Sequence, residues 1–475
     1  MLKGLSEKRS EIDPYYLFVL SFSLALFSSG YPIEDIIRRL GDYDNFPPYN
    51  KYFKRISRLV TGYGFKISAA ISNSLKEVKV APFKEFLIRF SQSISYGDSI
   101  VEFLERELRT ASTIFQSTNE RKQESMNTFL SLYGTLNSAL VFLMVDVTIM
   151  SVLYSIGSNL IVLLTAALGV ISGMMTLVIY FVYKPFAKMI FPSRAYAVAL
   201  ISLVATLIPI LIFQTAIVIF GSAVVLICLG IYFKIMERAE EKIERDYLVF
   251  IRYFSRTFVA VGTLKHALLG VMRGELGSMK PLVKRMQNRS ELGIDKRRLF
   301  KMMSDESRSQ MVMMGNTVMG STLEAGGDVG FIGNTLSVLM EMILNIRIRR
   351  EQNARAFEST VYTMQMTSAA VGGALIAVVG VFATLFSQSS TYTVFDVGKA
   401  NIPGLTFDVL VLLVILSYTS GFAICVAYGK PLALSIFHIG ILLVVTIVSF
   451  EIAHQLASGI FSGLFQPGGL ATPSS

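Results

Sequence analysis

Seven basic side chains, Lys284, Arg285, Arg289, Lys296, Arg297, Arg298 and Lys301, crowd a short segment between Lys280 and Arg308. The acidic residues there are Glu291, Asp295, Asp305 and Glu306, so the positive excess sits in the first two thirds. Such a cluster attracts an acidic protein surface or anionic lipid headgroups at long range. The plainer alternative is a solvated helical face whose charges serve only to keep it wet.

Bond-making chemistry lacks its residues. A phosphate-binding loop needs Gly-x-x-x-x-Gly-Lys-Ser/Thr, so that backbone amides and a lysine surround the phosphates. The nearest approach is Gly429-Lys430-Pro431, whose proline removes both the hydroxyl and a needed amide. His266, His438 and His454 have no second ligand at metal spacing, and Cys228 and Cys425 stand apart in apolar segments. Asp98 and Asp328 follow glycines, as an intramembrane aspartyl protease would require, but both fall in charged, soluble-looking stretches. Asp146 is the intramembrane acid of the chain, ~24 Å into its apolar segment at 1.5 Å per residue. A buried acid there is a candidate proton relay, and a residue at the outer interface fits equally. Neither an enzyme nor a cofactor is expected.

The surroundings of these residues are set by composition. Hydrophobic residues make up 52% and charged residues 16%, too apolar for a soluble chain of this length. Segments 128–154, 160–182, 195–213, 215–233, 361–386, 407–428 and 432–450 each approach the ~20 apolar residues that cross a bilayer. The hairpin between the third and fourth rests on Pro209 and the polar pair Gln214-Thr215. Residues 1–127 hold 18 of the 44 Lys/Arg and residues 234–358 hold 21, which puts both regions in the cytoplasm and the turn at Lys184 to Arg194 with them. Lys399 is then the one basic residue outside. Arg347, Arg349, Arg350 and Arg355 read as orientation anchors ahead of the fifth span.

Both charged regions carry apolar residues at helical spacing, as at Phe83, Phe86, Leu87, Phe90 and Ile94. They also repeat one another. Tyr15-Tyr16-Leu17-Phe18 reaches Gly30 after fifteen residues, and Tyr247-Leu248-Val249-Phe250 reaches Gly262 after the same fifteen. Farther on, Tyr96-Gly97-Asp98 matches Gly326-Gly327-Asp328 at an offset of 230. The first helix is too short to span, and its counterpart carries Arg252 and Arg256, so a signal peptide or anchor is excluded.

The expected protein is all-α: a polytopic membrane protein with two homologous cytoplasmic helical bundles and about seven transmembrane helices. Its parts are a first bundle at 1–127, four spans at 128–233, a second bundle at 234–358, three spans at 359–457 and an external flexible tail at 458–475.

Glu324-Ala325-Gly326-Gly327-Asp328-Val329 resembles the Gly-Glu-x-Ser/Thr-Gly-x-Leu turn of the type II secretion F domain family. Ser29-Gly30-Tyr31-Pro32-Ile33 is similar to its Ala-Gly-x-Pro-Leu turn. The turn positions singled out are Gly30, Pro32, Gly97, Asp98, Glu324, Gly326, Gly327 and Asp328. The first copy departs by lacking the glutamate. Four spans between the copies and three after them are closer to the archaeal, archaellum-building branch. The resemblance implies a membrane platform that couples a hexameric secretion-type ATPase to insertion of pilin-like or archaellin subunits, with the basic segment as docking surface. The expected partners are that ATPase, the filament subunits, the lipid bilayer and further copies of this chain in a homo-oligomer, with no nucleic acid. A secondary transporter is the alternative. It would place broken or polar helices at the midplane, whereas here the repeat lies in the soluble regions.

Overall fold

The computed structural model describes residues 11–154, 158–182, 193–213, 215–388 and 402–465. Regular structure among them is helical throughout. The first module contains α1 (Pro14–Phe27), α2 (Ile33–Asp42), α3 (Tyr49–Tyr63), α4 (Ile67–Ser74) and α5 (Ala81–Tyr96), and leads into α6 (Ile100–Tyr154). Then come α7 (Ser158–Val182), α8 (Ser193–Phe213) and α9 (Ala216–Val261). The second module continues with α10 (Leu264–Met272), α11 (Lys280–Glu291), α12 (Lys296–Ser307) and α13 (Gln310–Ala325), and leads into α14 (Val329–Gln388). Last come α15 (Ile402–Tyr428) and α16 (Ser435–Phe465). The order α1 to α6 is thus repeated by the end of α9 through α14.

The chain forms two compact units, one holding Met1–Lys122 with Met236–Ile348, the other holding Gln123–Pro185, Phe191–Ile235 and Arg349–Ser475. Both helical modules therefore share one unit. The expected boundaries at 127/128, 233/234 and 358/359 fall inside α6, α9 and α14, each a single helix that supplies residues to both units. Nothing in their sequences breaks a helix at those points, so no linker forms.

In the first unit α1 is buried from Tyr16 to Leu26 on every side. That explains an apolar helix too short to span: it is the core helix of the unit. The Asp13 carboxylate caps it, accepting from the Tyr16 amide at 2.9 Å, and takes a second bond from the Tyr49 hydroxyl at 3.0 Å. Around α1, Tyr16 meets the edges of Phe83 and Phe86 at 6.2 Å, and Phe27 meets Phe90 at 5.8 Å. The apolar stripe of α5 read from the sequence is this contact surface. In the second module Phe250 stacks on Phe254 at 5.5 Å, and Phe254 meets Phe300 of α12 edge-on. Each fully buried aromatic contributes about 1.5–3 kcal/mol.

The turns repeat as well. Helices α5 and α13 have 16 residues each and end on glycines in the left-handed region, Gly97 at φ 75° and Gly326 at φ 70°. In both, the amide after the glycine returns to the carbonyl five residues earlier, Asp98 to Ser93 at 3.1 Å and Gly327 to Thr322 at 2.9 Å. This cap needs positive φ at its first residue, which an L side chain resists. The geometric equivalents are therefore Gly97 and Gly326, 229 apart, one less than the sequence match.

In the second unit the apolar helices meet through polar contacts. The buried Gln365 places its amide nitrogen 2.8–3.0 Å from Leu413 O, Ser417 Oγ and Thr446 Oγ1, sharing its two N–H groups among them and linking α14, α15 and α16. Tyr133 of α6 bonds Ser172 of α7 at 3.3 Å and Ser420 of α15 at 3.1 Å. Interhelical hydrogen bonds of this kind are about 0.6–2 kcal/mol each in a bilayer. Among the described residues five helices are long and apolar enough to cross a membrane, α6, α9, α14, α15 and α16. Shorter apolar stretches, Thr165–Phe181 and Ala195–Ile210, lie in α7 and α8. The protein is an all-α, multi-pass membrane protein. Helix α8 ends at Phe213 with Pro209 inside it and α9 begins at Ala216, while α16 runs on to Phe465, past the start of the expected tail. The Lys184 to Pro192 part of the basic turn and Lys399 lie outside the described residues.

Candidate docking face on the second helical module

The basic segment folds into α11 and α12 with the turn between them. Asp295 caps α12 by accepting from the Arg297 amide at 3.1 Å, and Pro281 stands in the first turn of α11, where its missing N–H costs nothing. Leu282, Val283 and Met286 of α11 and Leu299, Phe300 and Met303 of α12 face the core, which leaves the charges to the other faces.

Four of the seven basic residues are already engaged. Arg285 and Arg289 both grip Glu306, at 2.7 and 2.5 Å, tying α11 to α12. Burial pushes the Glu306 carboxyl up, but the hydrogen bonds from Arg289 and Arg285 outweigh it and hold the group below the usual range. Arg297 lies over the ring of Tyr43 at 4.4 Å, and Lys296 donates to the Leu323 carbonyl at 3.4 Å. Lys284, Arg298 and Lys301 are exposed and make no ion pair or hydrogen bond among the described residues. A docking face built from the segment thus reduces to these three, two of them one turn apart on α12.

Tyr43 belongs to the first module, so Arg297 helps to join the two. Around it Ser321 donates to the Tyr43 hydroxyl at 2.7 Å, Asn45 donates to Thr317 at 2.7 Å, and Arg39 pairs with Glu324 at 3.2 Å. Gly327 packs so closely on Ser29 and the Ala25 carbonyl that a Cβ would collide with them. The turn positions thus have separate tasks. Gly30 takes φ 74° and Pro32 opens α2; Asp328 caps α14, its Oδ1 2.9 Å from the Phe331 amide. In the first copy Ser99 is the residue in that position, its hydroxyl 3.5 Å from the Glu102 amide, while Asp98 is exposed.

Asp146 is exposed on α6 and has no bonding partner among the described residues. Sequence reasoning passed over Asp408, buried at the start of α15. It also missed that Arg347 pairs with the buried Glu244, and that Arg350 caps α15 by donating to Val426 O at 2.8 Å and Ala427 O at 2.9 Å. His438 joins Tyr362 and Tyr428 around the Glu358 carboxylate, with its Nδ1 3.2 Å away. An arginine or glutamate at helical spacing ahead of an apolar run is the available signal for such contacts, but it does not name the partner.

The family described as "Type II secretion system (T2SS), protein F" matches residues 21–148, from within α1 through the first module and into the apolar part of α6. That stretch is similar to a type II secretion F domain. The chain is similar to the "Flagella accessory protein J" of Methanocaldococcus jannaschii, at 19% identity across 94% of this chain and 84% of that protein. No solved structure matches it. Both matches support a membrane platform component of secretion or pilus-like machinery, and neither is to a catalytic family.

Proposed function

We propose that this protein is the platform of an archaellum or type IV pilus-like assembly machine, with both helical modules in the cytoplasm. A hexameric secretion-type ATPase docks on the second module, and its movements pass along α6, α9 and α14 to drive insertion of pilin-like subunits and, in an archaellum, rotation. The observation that supports this most is the continuity of those three helices from the doubled module into apolar segments. A rigid helix carries displacement along its axis, which a flexible linker would absorb. The three unengaged cations offer the ATPase a solvated, salt-sensitive contact. The likeness to an archaeal flagella accessory protein over nearly the whole chain favours the archaellum or pilus setting. Purified full-length protein in lipid nanodiscs, added to the secretion ATPase of its own cell, should change that enzyme's turnover, and cells lacking the protein should lack filaments. Unaltered turnover together with normal filaments would refute the reading.

A further inference from the structure

Within the second unit, α6, α14 and α15 leave a cavity of about 20 Å³ bordered by Tyr133, Gly134, Asn137, Met364, Gln365 and Ser420. Its polar groups are unevenly served. The Asn137 Oδ1 is buried and has no hydrogen-bond partner among the described residues. Gln365 commits its amide nitrogen to Leu413, Ser417 and Thr446, and its carbonyl oxygen accepts no bond among the described residues. The Tyr133 hydroxyl is shared between Ser172 and Ser420. Asn137 and Gln365, each with an acceptor oxygen that takes no bond among the described residues, thus line one small space in an apolar unit.

An acyl chain cannot satisfy these oxygens, and an unmet buried acceptor costs about 1–3 kcal/mol. A cavity holds a water once it offers roughly 10–15 Å³ and two or more polar partners. We infer that this cavity is a binding site for a single ordered water that donates to Asn137 and to Gln365 or Ser420. Turning the Asn137 amide over would present its nitrogen instead, and water would then accept from it.

The site lies where α6 meets α14. Gly134 faces Met364 there, with the sulfur 3.4 Å from the position of an added Cβ. The helices that lead out of the two modules thus join through a small contact and a water. A water bridge re-forms after a small shift of one helix along the other, so the joint tolerates sliding that a direct side-chain bond would resist.

The test uses the full-length protein in nanodiscs, imaged at a resolution that shows ordered water. A single peak should lie at roughly 2.7–3.2 Å from Asn137 Oδ1. Radiolytic hydroxyl labelling, which marks side chains beside bound water, should modify Met364. Asn137→Leu should remove the peak and lower Met364 labelling several-fold while Met302 in the other unit is unchanged. Asn137→Ser keeps a polar atom and enlarges the space, so its label should persist, which separates loss of water from misfolding. An empty cavity, density for an acyl or protein side chain in it, or Met364 labelling indifferent to Asn137→Leu would overturn the assignment.

Discussion

Arg39 on α2 and Glu324 at the end of α13 face each other at 3.2 Å, an ion pair between residues 285 apart that joins the first module to the second. Both side chains remain partly exposed, so the pair itself is worth about 0.2–1 kcal/mol. The closer constraint is three residues on, at Gly327. Gly327→Ala should destabilise the protein by about 1–3 kcal/mol, because the methyl group would drive into Ser29 and the Ala25 carbonyl. Glu324→Gln should cost less than 1 kcal/mol or so. Thermal unfolding of the two variants in nanodiscs checks the ranking.

Glu240 on α9 gives the first unit a pH dependence. Burial, and then the neighbouring Glu244, push its carboxyl up from 4.5 to about 8, with Arg347 pulling the other way. The neutral form is favoured in the folded state, so the stabilisation relative to the ionised group is fully present below 4.5 and lost as pH rises toward 8. Glu240→Gln should remove this slope and leave the variant about 1–2 kcal/mol more stable than the parent at pH 8, a figure reduced for the solvent that reaches the group. Melting curves across that range would show parallel pH dependence in parent and variant if the assignment were wrong.

Arg350 closes the C-terminal end of α15. Arg350→Ala should free the Val426 and Ala427 carbonyls and cost about 2–4 kcal/mol, through two charge-assisted bonds and a favourable helix-end charge. Arg350→Lys should recover part of the loss, since an ammonium can reach one carbonyl but lacks the fork that serves both. Proteolysis at the Gly429-Lys430 turn, monitored in the three proteins, should follow the order Ala, Lys, Arg from fastest to slowest.

The orientation is open to direct chemistry. Ser72 on α4 and Asn288 on α11 are both exposed. Cysteines substituted there should react in intact cells with membrane-permeant reagents and remain unlabelled by impermeant ones. Labelling of either by an impermeant reagent would place that module outside.

The sequence carried the turns and the repeat because a left-handed helix cap restricts residue choice. Gly30, Gly97, Gly262 and Gly326 take positive φ, and each was visible as a glycine after an apolar helical stretch. The offset slipped by one residue because Asp98 and Asp328 look alike, whereas backbone geometry pairs Asp328 with Ser99. The buried helix α1 was legible as helix but not as core, since its environment is made by α5 and α13 from distant parts of the chain. The docking face was least legible. Seven like charges in one short segment look equivalent until Glu306 takes two of them, Tyr43 a third and the Leu323 carbonyl a fourth. Counter-ions and ring faces supplied by other helices leave no mark at the position they occupy.

Binding of the secretion ATPase to charge-reversed protein tests the central claim most directly. Lys284→Glu, Arg298→Glu and Lys301→Glu together alter only unengaged, exposed groups. The control reverses Lys51, Lys54 and Arg58, exposed on α3 of the first module, with the same change in net charge. Titrated in nanodiscs at physiological salt, the first triple variant should bind the ATPase about tenfold more weakly or worse, three contacts at 0.2–1 kcal/mol each being lost and made repulsive. The control should bind as the parent does, and the parent's affinity should fall as salt screens the contact. Unchanged affinity in the first variant, or an equal loss in both, would contradict docking on α11 and α12.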